Sequence, residues 1–155
     1  MAYPLQDVIN WFLAKEAMTP KKLQKILYYA YSWTLTIENE SDDNIENRLF
    51  DYEFEAWVHG PVIREVYESF RTYGYQEIPK YQGPLPTFSD DIEDILEDVW
   101  EEYGRYSGNE LESITHQEDP WINARAGINP LERCTNIISD QAIFNYYIQR
   151  VEYVD

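Results

Sequence analysis

Hydrophobic side chains recur along much of this chain with the three- and four-residue spacing that is typical of amphipathic helices. The pattern covers four long segments: residues 5–15, 20–37, 61–73 and 89–103. Thr19 and Ser89 are good N-cap residues directly before two of these segments, and Pro20 suits the first helical position. The pattern therefore predicts four long helices, two of them with well-defined starts.

Three shorter helices are indicated by the residues that would begin them. Ser107 and Glu110 have the spacing of a capping box. Asp119-Pro120 has the composition of a helix start, and Ser139 is a suitable N-cap for a last helix. The short segments bring the expected total to about six to seven helices.

A different period appears in residues 52–58, where apolar side chains alternate with Glu53, Glu55 and Trp57. A period of two predicts a short strand. Together these patterns predict a mainly α fold. We expect residues 1–155 to form a single domain, a compact helical bundle with a small β-ribbon around residues 52–58.

The predicted strand runs directly into Gly60-Pro61. Gly60 can adopt the backbone angles of a sharp corner. Pro61 has no N–H and suits the first position of the third helix. We therefore expect a corner that holds Trp57 and His59 beside a helix start.

Composition supports a folded protein of an ordinary kind. The chain has 155 residues, of which 44% are hydrophobic and 16% aromatic, enough to build a core. Cys134, the single cysteine, has no partner for an internal disulfide, which suits a reducing compartment. Neither a signal peptide nor a run of ~20 apolar residues is present. The expected location is the cytoplasm.

The net charge of −17 is unevenly distributed. Residues 1–37 hold four lysines against two acids, a balance of +2, so the remainder sums to −19. Such a surface repels nucleic-acid phosphates, which argues against direct nucleic-acid binding, and it would attract a basic partner. The acidity could equally serve solubility alone. Lys21 and Lys22 lie in the first turn of a helix, where the dipole disfavours cations.

Candidate chemistry is sparse. Cys134 lacks the signature of a nucleophile. His59 and His116 could form a metal site or a hydrolase site if the fold brought them together, but no paired metal-ligand spacing is present. The simpler interpretation is that each imidazole hydrogen-bonds and helps to fix a corner.

Aromatic residues are unusually frequent, with 14 Tyr and 5 Trp. Core packing accounts for most of them, but aromatic residues rimmed by charge also favour protein interfaces. We expect a recognition surface to include some of five tyrosines: Tyr28, Tyr31, Tyr67, Tyr73 and Tyr75.

Four stretches occur in an order and at a spacing that resemble the Panacea domain of the SocA-like antitoxin family: residues 19–30, 54–62, 115–121 and 143–147. The resemblance covers roughly residues 5–150. It implies an antitoxin of prokaryotic or phage origin that neutralises a toxin, commonly encoded next door, by direct protein contact. One family member also delivers its toxin to an AAA+ protease, a second mode that the resemblance allows.

The resemblance implies no enzyme activity, cofactor, metal or membrane partner. The motif residues and first-turn lysines are the candidates for partner binding or for a family-specific structural role: Lys21, Lys22, Lys25, Tyr28, Trp57, His59, Gly60, Pro61, His116 and Trp121. Two other functions stay open at this point. One is an acidic nucleic-acid mimic that inhibits a DNA-binding enzyme, and the other is a hydrolase or metalloenzyme that uses His59 and His116.

Overall fold

A computed structural model describes residues 2–152, and the side chains of residues 2–151. Within this range the chain forms seven α-helices and one three-stranded sheet. The elements, in order, are α1 Leu5–Leu13, α2 Pro20–Ile37, β1 Phe54–Trp57, β2 Gly60–Val62, α3 Arg64–Phe70, α4 Asp90–Tyr103, α5 Gly108–Thr115, α6 Asp119–Ala124, β3 Ile137–Ile138 and α7 Asp140–Glu152. A 3₁₀ turn, Arg71–Tyr73, extends α3. The predicted mainly α fold with a small β-ribbon is confirmed.

Helix α2 lies at the centre of the fold and is buried almost along its whole length. It packs against α1, α4, α5, α7 and strand β2. Its predicted start is confirmed, because the Thr19 hydroxyl accepts a hydrogen bond from the backbone N–H of Lys22 at 3.2 Å and Pro20 occupies the first helical position. Fourteen of its eighteen residues are buried, so most of the polar side chains on it face the protein interior.

The other predicted caps are confirmed as well. The Ser89 hydroxyl accepts from the N–H of Ile92, and Ser139 accepts from Ala142 at the start of α7. Ser107 and Glu110 form the full capping box of α5, with bonds of 3.1 Å and 2.8 Å. These contacts span three residues and need no distant part of the chain.

The sheet is antiparallel, in the order β2-β1-β3. Strands β1 and β2 form a hairpin in which Trp57 pairs with Gly60 and Ala56 pairs with Pro61, so Val58 and His59 make the two-residue turn. Strand β3 returns from a distant part of the sequence and covers the other edge of β1. A two-stranded ribbon was expected, and the pairing of β3 with β1 makes it a three-stranded sheet.

The predicted start of the third helix at Pro61 is wrong. Pro61 lies in β2, Ile63 is the N-cap, and α3 begins at Arg64. Proline suits a helix start, but it is also compatible with an edge strand, where its missing N–H costs no ladder hydrogen bond. Because β2 is an edge strand, Pro61 can pair in the sheet and does not start the helix. Gly60 has φ +106°, which confirms the expected sharp corner.

Aromatic side chains fill much of the core. Tyr29 stacks on Tyr103 with ring centroids 3.9 Å apart, and Tyr28 contacts Phe54 edge-to-face at 5.2 Å. Tyr28 and Tyr31 are buried, so the expectation that they contribute to an exposed recognition surface is wrong. The rings of both side chains are needed to fill the space between α2 and the sheet.

Glu118 joins three helices from a buried position at the start of α6. Its carboxylate accepts hydrogen bonds from the hydroxyls of Tyr147 at 2.6 Å and Tyr29 at 3.1 Å, and it lies 3.3 Å from Arg150. Burial raises the pKa of Glu118, and the hydrogen bonds from the two tyrosines and Arg150 oppose that rise. No helix within residues 2–152 has the length and apolar composition to cross a membrane.

Candidate functional site

The hairpin corner, residues 57–62, is held against α2 by two side chains of that helix. The side-chain amide of Gln24 donates to the carbonyl of Ile63 and accepts from the N–H of the same residue, both at 3.0 Å. Lys25 Nζ donates to the carbonyl of Pro61 at 3.2 Å. Buried backbone groups need partners, and here the partners are consecutive residues of one helix. The corner therefore has a defined position relative to α2.

Gly60 is where the corner approaches α2 most closely. A Cβ added at this position would lie 2.6 Å from Cε of Lys25 and 3.0 Å from Oγ1 of Thr115. Both distances are too short for a normal contact. A glycine is therefore required at position 60 for two reasons: the backbone has a positive φ, and the Lys25 side chain occupies the space where a Cβ would lie.

Trp121 of α6 and the residues that follow α5 and α6, His116 and Arg125, hold the corner from the other side. Trp121 Nε1 donates to the carbonyl of Trp57 at 2.8 Å, and Arg125 Nη1 donates to the carbonyl of Ala56 at 2.9 Å. The imidazole of His116 stacks on Trp121 with ring centroids 4.0 Å apart. Burial lowers the pKa of His116. His116 and Trp121 thus act together as a support for the hairpin.

The two first-turn lysines of α2 both have partners inside the protein. Lys22 Nζ donates to the carbonyl of Gly104 at 2.6 Å, at the C-terminal end of α4, where the helix dipole favours a cation. Lys21 Nζ lies 2.7 Å from Glu112 and donates to Asn109 at 2.9 Å. These contacts give a physical reason for placing cations at the start of α2.

Glu112 also binds His59, whose Nδ1 lies 3.1 Å from the carboxylate. Burial opposes ionisation of Glu112, but hydrogen bonds from Lys21 and His59 outweigh it, and its pKa is lowered. The exposed imidazole of His59 at the hairpin tip is thereby connected to both α5 and α2. Sequence reasoning missed Glu112, since nothing distinguishes it locally among 29 acids.

Lys25 is the most unusual ionisable group of this region, because only 1% of the residue is exposed. Its pKa is lowered to about 7, chiefly by burial, while the charge of Glu112 acts in the opposite direction. An ammonium can donate three hydrogen bonds, and the structure gives Lys25 one protein acceptor, the Pro61 carbonyl.

A groove of about 560 Å³ opens in front of these residues, between the hairpin, the start of α2, the start of α5 and the turn after α3. We call it the aromatic–basic groove and define it by seven of its lining residues: Lys21, Lys25, Trp57, His59, Tyr67, Arg71 and Tyr75. No Asp or Glu is among the described residues that line it. Four of the ten candidate residues from the sequence therefore meet in one groove, and the other six lie behind it or beside it.

A second groove, of about 730 Å³, has the opposite charge. It runs along β1 and β3, and its acids outnumber its two arginines: Asp51, Glu53, Glu55, Glu65 and Asp140. We call it the acidic groove. Arg48 pairs with Asp140 at 2.8 Å and Arg64 with Glu55 at 2.8 Å, so both arginines are already engaged.

The sequence model described as "Antitoxin SocA-like, Panacea domain" matches residues 23–122, more than half of the chain. The chain belongs to this family. The match runs from α2 through most of α6 and includes the hairpin corner with the side chains that hold it. Helices α1 and α7, and with them the fourth motif at residues 143–147, lie outside the match although the resemblance was expected over residues 5–150. No curated protein and no solved structure matches the chain.

Within this Panacea domain, three of the four motif stretches, residues 19–30, 54–62 and 115–121, meet at the corner. Lys25, Gly60, Pro61, His116 and Trp121 are structural neighbours. Arg125, which donates to β1, has no sequence signal that would have identified it. Among the residues that the structure describes, no group of three or more His, Cys, Asp or Glu side chains could hold a metal ion.

Proposed function

We propose that this chain is an antitoxin that neutralises a partner protein toxin by direct contact, without chemistry of its own. Membership of the SocA-like antitoxin family carries this proposal. The mechanism proposed is occlusion: the domain covers the part of the toxin that acts on its target. Delivery of the bound toxin to an AAA+ protease is an additional route that the same contact would permit.

The structure supports a binding role through two features. The family motifs build a hairpin corner whose backbone is held from two sides, as a rigid recognition element requires. The corner adjoins a groove with exposed aromatic side chains, which interfaces favour. The net charge of −17 would speed the encounter with a basic toxin surface.

The proposal is tested by expressing the protein encoded by the adjacent open reading frame, with and without this chain. We expect growth arrest without the chain, rescued growth with it, and a complex that purifies as one species. Normal growth in the absence of the chain would remove the premise. Rescue without any complex would show that neutralisation does not depend on direct contact.

One alternative has a specific observation behind it. The outer face of α4 presents a row of exposed acids, as a nucleic-acid mimic would: Asp94, Glu97, Asp98, Glu101 and Glu102. A mimic should lose its target steeply as ionic strength rises, whereas a contact anchored by aromatic residues should persist. Binding measured across a salt series distinguishes the two functions. Metal analysis of the purified protein addresses the remaining alternative, a site that uses His59 and His116.

A further inference from the structure

We propose that the aromatic–basic groove binds a segment of the toxin in which a carboxylate side chain lies next to a large apolar side chain. This inference rests on the proposed function and adds the place of contact and the chemistry of the bound segment. It would make the groove, rather than the acidic surface, the part of the antitoxin that selects its partner.

The aromatic side of the groove is exposed and partly fixed in place. Tyr75 is 95% exposed and Tyr67 is 43% exposed. Trp57 packs edge-to-face on Tyr67 at 5.0 Å, and its Nε1 donates to Glu55 at 2.8 Å, so the indole is held before a ligand arrives. Pre-ordered aromatic side chains lose little entropy on binding and are frequent anchors of interfaces. This side fits a large apolar side chain.

The opposite side of the groove carries positive charge. Arg71 is exposed, and its Nη1 lies 4.0 Å from Glu68, the outer limit of an ion pair, so its guanidinium can turn toward a ligand. Lys25 lies in the buried wall with one protein acceptor. Lys21 also lines the groove, and its ammonium pairs with Glu112 at 2.7 Å and donates to Asn109 at 2.9 Å. A carboxylate would meet several donors here.

Charge complementarity selects the occupant. The protein carries −17 overall, yet the described lining of this groove contains Lys21, Lys25 and Arg71 and no acid. Glu112 pairs with Lys21 at 2.7 Å and the pKa of Lys25 is lowered to about 7, so Arg71, which lies 4.0 Å from Glu68, is the main charge that a ligand carboxylate would meet. An acidic segment is therefore repelled by most of the surface and attracted here, which fixes both the place and the orientation of docking. A basic segment would find the acidic groove instead. A nucleic acid would meet the same overall repulsion along its whole length without a long basic track to offset it.

The first experiment uses the full chain in complex with the toxin from the adjacent reading frame. Hydrogen exchange of the free chain and of the complex is compared. We expect protection in the complex at residues 67–75 and 107–109, which border the groove. Protection confined to residues 51–55 would place the toxin on the acidic groove and overturn the inference.

The second experiment uses matched variants. Arg71→Glu and Tyr75→Ser change exposed groove residues, and Arg133→Glu and Tyr52→Ser make the same changes at exposed positions outside it. We expect about tenfold weaker toxin binding or more for each groove variant, and less than about twofold for each control. Thermal melting of all four proteins should match the wild type, since none of the four side chains is buried. Equal affinity of groove and control variants would overturn the inference.

The chemistry of the occupant is tested with a carbodiimide, which joins an amine directly to a neighbouring carboxylate. We expect a cross-link between Lys21 and an Asp or Glu of the toxin, formed in competition with the internal Lys21–Glu112 link, and its loss in Lys21→Met. A complex that yields only the internal link, or that nuclease treatment abolishes, contradicts an acidic protein segment. If the wild-type chain and the toxin form no complex at all, the proposed function fails. If they form a complex whose contacts lie outside the groove, only this inference fails.

Discussion

Replacement of Gly60 by alanine tests the central structural feature of the domain, the close approach of the hairpin corner to Lys25. Two costs arise from one added methyl group. The residue has φ +106°, a conformation that alanine rarely adopts. The new Cβ would also lie 2.6 Å from Cε of Lys25, so this buried side chain would have to shift and its hydrogen bond to the Pro61 carbonyl would be disturbed.

The magnitude follows from these two terms. A non-glycine residue in a sparsely populated backbone region costs about 1–3 kcal/mol. Extra volume in a packed interior costs about 1–3 kcal/mol more. We therefore expect Gly60→Ala to lower the free energy of unfolding by about 2–6 kcal/mol, a large share of the ~5–15 kcal/mol that stabilises a typical domain.

Gly127→Ala is the matched control. Gly127 has φ +84°, but a Cβ there would meet no atom within 4 Å, so only the backbone term applies. We expect a loss of about 1–3 kcal/mol for this variant. The difference between the two variants isolates the contact with Lys25. Shortening that side chain in Gly60→Ala/Lys25→Leu should recover part of the loss, with a coupling energy of about 1–3 kcal/mol.

The assay is urea unfolding followed by tryptophan fluorescence, with the free energy extrapolated to water and the m-value compared among variants. Equal destabilisation by Gly60→Ala and Gly127→Ala would refute the reasoning, because it would show that the Lys25 side chain does not restrict the corner. Additive effects in the double variant would lead to the same conclusion.

Three further predictions concern the same core. The folded protein should release the Lys25 proton near pH 7, whereas the unfolded chain keeps it to about pH 10.5. The unfolded state therefore binds more protons between these two pH values, and the unfolding free energy should rise with pH by at most about 1.4 kcal/mol per pH unit. Lys25→Met should remove this component from stability curves between pH 7 and 9. Glu118→Ala leaves the hydroxyls of Tyr29 and Tyr147 without their acceptor and should cost about 3–5 kcal/mol by urea unfolding, whereas Glu118→Gln should cost clearly less. Trp121→Phe removes the donor to the Trp57 carbonyl and should cost about 1–3 kcal/mol by the same method.

Each of these predictions has a contradicting outcome. Identical pH slopes for wild type and Lys25→Met would mean that Lys25 keeps its proton in the folded state. Equal losses for Glu118→Ala and Glu118→Gln would show that the hydrogen bonds at that carboxylate contribute little. A neutral Trp121→Phe would mean that ring packing, rather than the Nε1 bond, holds the hairpin.

Contacts between near neighbours in the chain could be predicted from the sequence, whereas contacts between distant residues could not. The caps at Thr19, Ser89, Ser107 and Ser139 were predicted correctly, because a cap is a contact over three residues. The predicted position of Pro61 at a helix start was wrong, because its conformation depends on pairing with Ala56 in the sheet. The dipeptide Gly60-Pro61 would suit either a helix start or an edge strand. The local rules could not decide between the two.

At the candidate site, too, some residues could be predicted from the sequence and others could not. Trp57 and His59 were candidates from the family motifs and Lys21 as a first-turn lysine, and the structure places all three around one groove. Their grouping depends on Glu112, whose carboxylate joins Lys21 and His59 and whose importance no local pattern shows. Tyr28 was one of five tyrosines considered for a recognition surface because tyrosine is so frequent in the chain, and its complete burial on α2 excludes it.

The amino-acid sequence by itself determined the helices, their caps, the family and the negative charge, because these depend on near neighbours or on composition. Only the tertiary structure decided that Lys22 and Lys25 point inward, that Gly60 must lack a side chain, and that basic and aromatic residues share a groove on an acidic protein. These properties arise from contacts between residues far apart in the chain, and such contacts exist only once the chain has folded.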